Sequence, residues 1–159
     1  MADRDAIGRA LARIPSGLFV LTAGSGEQAT GMMASWVQQA GFAPPTVVVA
    51  VAKARPIAEL IRRERAFCIT VLDDATQQLV AHFARGFAPG APAFAGIASA
   101  LASNGVRYPS GTVAHLACRL LGEAADWSDH TVFGGEVTGG FGRLDREPRV
   151  HRRKNGFSY

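Results

Sequence analysis

The stretch VAKARPIA, residues 51–58, runs an apolar segment straight into Lys53 and Arg55, with Pro56 placed where a helix begins. Proline suits the first helical position because its missing N–H would have no partner there. The first turn of a helix presents unpaired N–H groups and a partial positive charge. Amides near Ile57 and Ala58, flanked by Lys53 and Arg55, therefore make a candidate phosphate pocket. A basic residue at a strand-to-helix junction is also common where nothing binds, and residue types alone leave both readings open.

A second stretch, GMMASWVQQAGFAPP at 31–45, is unusual for a strand and loop. If its first half pairs with the neighbouring VVVAVA segment, its end lies near the phosphate pocket. Gly31 and Ala34 would leave room for a cofactor against the backbone, Met32 and Met33 would adapt to a flat ring, and Trp36 would border it. The alternative is that Met and Trp fill a barrel core.

Other chemistry is absent from the sequence. No glycine-rich dinucleotide fingerprint and no phosphate-loop motif occurs. Ser35 and Ser128 have no fixed His or Asp partner in sequence. Cys68 and Cys118 sit inside the apolar runs AFCITVL and HLACRLL, where a thiol serves as a small hydrophobe, and their spacing fits neither a redox pair nor a zinc site. His82, His115, His130 and His151 are too scattered to propose a metal site.

The elements that must position these residues are mostly strands. The chain has 159 residues, 48% hydrophobic and 19% charged, which is globular composition and fits one domain over 1–159. Residues 3–14 place Ile7, Ala10, Leu11 and Ile14 on one helical face. LFVLTA at 18–23 reads as a strand and GSGEQ as a hairpin turn, with a return strand over about 29–37. TVVVAVA at 46–52 is apolar at every position, as in a strand buried on both faces or in a closed barrel. A helix follows Pro56, FCITVL at 67–72 is a strand, and 74–85 is a helix with Asp74 as its N-cap. Residues 86–105 read as a long ordered loop with at most one short element, and 111–127 and 130–140 as two long strands joined by SDH. Glycines 134, 135, 139 and 140 mark bends or close backbone approach. The expected architecture is mainly β, a small barrel with a few peripheral helices.

Lys plus Arg exceed Asp plus Glu by 17 to 13, a net charge of +4, and the excess gathers in the tail GRLDREPRVHRRKNGFSY. That field would attract phosphorylated ligands or nucleic acid, unless the tail is only a solvated basic end. With two Tyr and no basic-aromatic stripe, a nucleic-acid partner is not expected. No apolar run is long enough to span a bilayer, and the N-terminus lacks an uninterrupted apolar core, so no membrane partner and a cytoplasmic location are the expectations.

The segments GMMASWVQQAGFAPPTVVVAVAKARPIAELI, FCITVL, HFARGFAPGAPAFAGI, SDHTVFGGEV and VHRRKNGFSY, in this order, resemble the flavin reductase family. Its proteins have an FMN-binding split β-barrel, a Greek-key barrel. The similarity is especially close to the flavin reductase-like domain at the C-terminus of photosynthetic flavodiiron proteins. It covers roughly residues 14–159, without the metallo-lactamase-like and flavodoxin-like parts, which implies a stand-alone version. The resemblance implies that Thr30, Gly31, Met32, Met33, Ala34, Ser35, Trp36 and Val37 line the flavin ring and ribityl chain. It implies that Val51, Ala52, Lys53, Arg55, Ile57 and Ala58 hold the ribityl chain and phosphate. Phe83 and Ala84 match the segment that closes over the flavin; His82 stands where the family has Arg, with Arg85 beyond. His130 matches the histidine near the nicotinamide, although Ser128 replaces the family's glycine in that turn. The implied activity is NAD(P)H:flavin oxidoreduction, with FMN or alternatively FAD as flavin and NADH or NADPH as donor. A homodimer and a partner monooxygenase or other electron acceptor are implied with it. The alternative is an FMN-binding electron carrier or flavin store that oxidises little NAD(P)H.

Overall fold

The computed structural model describes residues 3–158; Tyr159, which ends the basic tail, lies outside the described residues. The elements are helix α1 (Arg4–Leu11), strands β1 (Ser16–Gly17), β2 (Phe19–Ala23), β3 (Thr30–Ala34), β4 (Val37–Phe42) and β5 (Pro45–Ala52), helix α2 (Ile57–Glu64), strand β6 (Ala66–Val71) and helix α3 (Gln77–Ala84). The short strands β7 (Ser99–Leu101) and β8 (Arg107–Pro109) follow, then the long β9 (Ala114–Ala125) and β10 (His130–Gly142), and finally β11 (Val150–His151).

The main sheet has seven strands in the order β3-β2-β6-β9-β10-β5-β4, every pairing antiparallel. Its two edge strands, β3 and β4, are consecutive in the chain and separated only by Ser35 and Trp36. One bent strand therefore bonds to β2 with its first half and to β5 with its second, and the sheet closes into the expected split barrel. The Ala50 N–H donating to the Trp36 C=O at 3.0 Å continues the second pairing up to the bend.

Alternation sets the interior. On β5, Val47, Val49 and Val51 are buried, while Val48, Ala50 and Ala52 are only half-buried. The uniformly apolar sequence of this strand is thus a barrel strand with one inner face, not one buried equally on both sides. Its inner face meets Leu21, Met32, Ala34, Phe67, Ile69, Leu120 and Phe133 in the main core. Ile57, Ala58 and Ile61 of α2 complete that core. A second cluster of Leu18, Val20, Leu72, Leu79 and Phe83 seats α3 on the outside of β2.

Two local expectations change. The helix near 74 is capped by Asp73, not Asp74: the Asp73 amide donates to the Thr76 hydroxyl at 3.1 Å, and residues 74–76 form a tight turn before α3. The loop over 86–105 has, as expected, one short element, β7, which pairs with β8, and its Asn104 amide donates to the Phe67 and Cys118 carbonyls at 3.0 and 3.1 Å. On α1 the buried residue is Gly8, whereas Ile7 is 41% exposed; the terminal tail, not the barrel, covers this helix. The Gly156 N–H donates to the Gly8 C=O at 2.9 Å, and the Arg4 guanidinium lies 4.2 Å from the centre of the Phe157 ring.

The glycines of β10 do mark close approach. A Cβ at Gly135 would stand 2.4 Å from Cζ of the fully buried Phe67, and one at Gly140 would stand 2.6 Å from the His115 carbonyl oxygen. At Gly122, on the adjoining strand, a Cβ would meet nothing within 4 Å. Gly135→Val should therefore lower the unfolding free energy by about 1–3 kcal/mol or more in urea denaturation. Gly122→Ala should stay within about 0.5 kcal/mol of the parent in the same experiment.

Candidate functional site

The bend that closes the barrel leaves two residues outside the regular ladder. Ser35 is buried, and its Oγ has no hydrogen-bond partner among the described residues. A buried hydroxyl without a partner costs free energy, so its presence here is a sign that a ligand supplies the bond. Trp36 points the other way and is 36% exposed. Its ring centre lies 4.7 Å from that of His130, tilted at 49°. The sheet brings these two rings together because Ala52 and His130 are register partners on β5 and β10.

His130 is held from its own strand end. Its Nδ1 lies 2.8 Å from a carboxylate oxygen of Asp129, which also accepts from the Ser128 hydroxyl at 2.9 Å. The hydrogen bonds from His130 and Ser128 hold the Asp129 carboxyl below the usual carboxylate range. An ionised carboxylate only accepts, so Nδ1 carries the ring proton in this pair. The Asp129 C=O in turn accepts from the Lys53 N–H at 3.0 Å, which fixes the SDH turn to the end of β5. Asp129 follows directly from the sequence SDH, but its role required knowing where the His ring lies.

At the start of α2 the picture differs from the sequence expectation. The Ala58 and Glu59 amides donate to the Arg55 and Pro56 carbonyls at 3.1 and 3.2 Å, leaving the Ile57 N–H without a partner among the described residues. Lys53 is not a free cation: its Nζ pairs with Asp126 at 2.8 Å. Arg55 has no ion pair among the described residues, and its guanidinium lies against Gly86. A Cβ at Gly86, where φ is +69°, would sit 2.7 Å from an Arg55 nitrogen. The basic group available beside this helix start is therefore Arg55.

The remaining expected residues divide by the direction of their side chains. Val51, Ile57, Ala58 and Met32 point into the main core, as do Ala34 and, from the rim, Val37. Met33 turns outward against the α3 cluster. The Phe83 ring is fully buried beneath Gly31, whose Cβ would meet it at 2.8 Å. Gly31 is thus required by an internal ring, a reason the sequence did not disclose. Ala84 is exposed at the end of α3, and Ala52 is half-buried beside His130. His82 Nε2 lies 2.7 Å from the Ala93 carbonyl oxygen, and the Arg85 guanidinium stacks 5.2 Å from the centre of Phe87. Both are engaged in ordering the loop after α3. Thr30 lines a cavity of about 730 Å³ together with Pro56, Leu60, Arg63 and the segment 88–90.

Two surfaces flank the turn 53–56: the tilted ring pair of Trp36 and His130, and a cationic end formed by Arg55, the Ile57 amide and Gly86. The resemblance implies that the basic end HRRKNGFSY approaches the flavin or nicotinamide; of that end, Arg153 has its guanidinium 5.2 Å from the centre of the Trp36 ring. The contact joins residues far apart in sequence, and no local pattern announces it. No group of three or more metal-ligating side chains occurs among the described residues.

Residues 11–157 match the sequence model of the Flavin reductase like domain. The chain is 39% identical over 153 residues to Diflavin flavoprotein A 1 of Synechocystis sp. (strain PCC 6803), covering 95% of this chain and 26% of that protein. It is 36% identical over 164 residues to Putative diflavin flavoprotein A 3 of Nostoc sp. (strain PCC 7120), covering 99% and 27%. The chain thus spans about a quarter of the length of the curated relatives it matches. Among solved structures, the NADH:FAD oxidoreductase SgcE6 of Streptomyces globisporus superposes with a TM-score of 0.83 at 28% identity, covering 91% of this chain and 86% of that one. BorF, the flavin reductase component of a bacterial two-component tryptophan halogenase, has the same fold, with a TM-score of 0.82 at 22% identity and 94% of each chain covered.

The geometry at the start of α2 yields a test with two ligands. Arg55→Ala should weaken FMN binding by about tenfold or more and leave riboflavin, which lacks the phosphate, within about twofold, read by flavin fluorescence titration. Lys53→Ala, which removes a cation already paired with Asp126, should have the smaller effect on FMN. Equal losses for both flavins would take the phosphate away from Arg55.

Proposed function

Because this chain belongs to the flavin reductase-like domain family, we propose that it is an NAD(P)H:flavin oxidoreductase that binds FMN and passes electrons to a separate acceptor. The observation that carries the reading is the aromatic pair of Trp36 and His130 at the strand ends from which the chain runs to Arg55, a cation without an ion pair among the described residues. The donor set fits the flavin: the unpartnered Ser35 hydroxyl suits the polar edge of the ring or its ribityl chain, and Arg55 with the Ile57 amide suits the phosphate. Thr30, at the mouth of the adjoining cavity, lies on the same side.

Held by Arg55, the Ile57 amide and the Ser35 hydroxyl, a flavin would supply the redox chemistry, hydride transfer from a reduced nicotinamide. The protein's share is orientation, since hydride transfer needs reacting atoms held about 3–3.5 Å apart and no strong acid or base. His130 is the positioning residue for the nicotinamide. Asp129 fixes the imidazole by accepting a hydrogen bond from Nδ1–H, so in the neutral ring Nε2 is the acceptor nitrogen. Trp36, whose ring centre lies 4.7 Å from that of His130, would border the flavin ring beside it. In this reading the chain acts as a homodimer and delivers reduced flavin to an oxygenase or a metal centre. The solved relatives named for such partnerships, BorF among them, support that direction of electron flow.

Steady-state oxidation of NADH and NADPH with added FMN tests the proposal. Turnover that saturates in flavin is expected; absence of turnover with either donor at saturating FMN would overturn it in favour of an electron carrier. His130→Ala should raise KM for the nicotinamide and lower kcat/KM by about ten- to a hundredfold. Asp129→Asn should show the same change at smaller size, with FMN affinity held in both variants.

A further inference from the structure

The cations of this protein are unevenly matched. Around the barrel most are in ion pairs, Lys53 with Asp126, Arg62 with Glu59 and Glu123, Arg119 with Glu136, Arg143 with Asp145, and Arg146 with Asp73, with Arg55 an exception among the described residues. Between α1 and the C-terminal tail they are not. The side chains of Arg13, Arg152 and Lys154 make no ion pair or hydrogen bond among the described residues. Arg153 donates only to carbonyls, those of Leu11 and Gly156, each at 3.3 Å, so its charge is uncompensated.

These four groups face a formed groove. One hollow of about 630 Å³ is lined by Arg9, Ala10, Ala12, Arg13, Arg153 and Lys154. A second, of about 350 Å³, shares Ala12, Arg13 and Arg153 with it and adds Pro15, Val150 and Arg152. Among the described residues no acidic side chain lines either hollow, and of the lining cations only Arg9 has an ion-pair partner, Asp3 at 3.7 Å. The tail is seated rather than draped. A Cβ at Gly156 would stand 2.3 Å from the Leu11 Cβ, and β11 pairs with β1. The groove opens at Arg153, whose guanidinium lies against Trp36, and Trp36 lies against His130.

We propose that this groove binds the phosphate-bearing adenosine half of the reduced nicotinamide dinucleotide and selects NADPH over NADH. The inference rests on the reductase reading, in which the nicotinamide lies at the Trp36–His130 ring pair; from there the rest of the dinucleotide runs past Arg153. The bridging diphosphate carries one negative charge on each phosphate, which four cations exceed. A 2′-phosphate adds about −1.5 to −2 charge at neutral pH, in line with other phosphomonoesters, and brings the local balance near zero. Arg13, which follows α1, and Lys154, from the tail, are the groups that meet it.

Calorimetric titration with 2′,5′-ADP and 5′-ADP, on the parent and on the Arg13→Ala/Lys154→Ala double variant, tests the groove without turnover. The parent should bind 2′,5′-ADP at least about tenfold more tightly than 5′-ADP, and the double variant should bring the two within about twofold. The ratio of kcat/KM for NADPH over NADH should fall in parallel. FMN titration of the same variant is the control for folding. Equal affinity of the parent for the two nucleotides, or an unchanged ratio in the variant, would overturn the proposal. Binding of neither nucleotide overturns it as well and leaves the groove to an acidic protein surface. Selective 2′,5′-ADP binding in a protein that oxidises neither donor would support the groove while refuting the reductase reading.

Discussion

A β-strand has two hydrogen-bonding edges, and the segment from Thr30 to Phe42 must give them to neighbours on opposite margins of the same sheet. It does so by bending once, after Ala34, so that β3 completes β2 and β4 completes β5. The bend is where the barrel closes, and closure removes two exposed sheet edges that would otherwise invite pairing with another chain. The two residues at the bend are freed from regular alternation. One turns its hydroxyl into a buried position with no bond to make, and the other turns an indole out to meet His130. The candidate site is thus a by-product of closing the barrel, which explains why a small-residue run and a tryptophan stand side by side there.

The strand order around the barrel then decides what the bend can reach. β5 separates β4 from β10, so the C-terminal end of β5 and the N-terminal end of β10 emerge together, and Lys53, Asp129 and His130 come with them. α2 starts in the next turn and buries Ile57, Ala58 and Ile61 beneath the barrel wall, which pins its N-terminus beside the bend. Arg55 lies between these two anchors, and only a glycine at 86 leaves space for its guanidinium.

Much of this arrangement is legible in residue patterns. The hairpins around GSGEQ and SDH, the helix after Pro56 and the close approach at Gly135 and Gly140 follow from local chemistry, and the structure has them. What the patterns hide is direction. TVVVAVA is apolar throughout, so nothing in it tells which valines face inward, and the register with β10 supplies the answer. A family resemblance transfers positions but not the way a side chain points; Val51, Ile57, Ala58 and Phe83 support the site from inside the core. Charge pairing is equally hidden. Lys53 looks free until β9 delivers Asp126 to it, and Arg153 looks like part of a solvated end until it is found against Trp36.

That last contact depends on how the tail is held. Burial pushes the Asp73 carboxyl up, but hydrogen bonds from Arg146 and Thr76 outweigh it and hold the group below the ordinary carboxylate range. The charged pair with Arg146 is therefore kept, and it ties the tail to the cap of α3. Three residues on, the Arg149 N–H donates to the Leu72 C=O at 2.8 Å, and β11 then pairs with β1. By the time the chain reaches Arg152, its path has been set by backbone bonds to two separate elements. Gathering like charges in one groove costs electrostatic energy, and that cost is met during folding by the pairs and ladders upstream. An anion arriving there need not order a flexible tail, so less of its binding energy is lost to immobilising side chains.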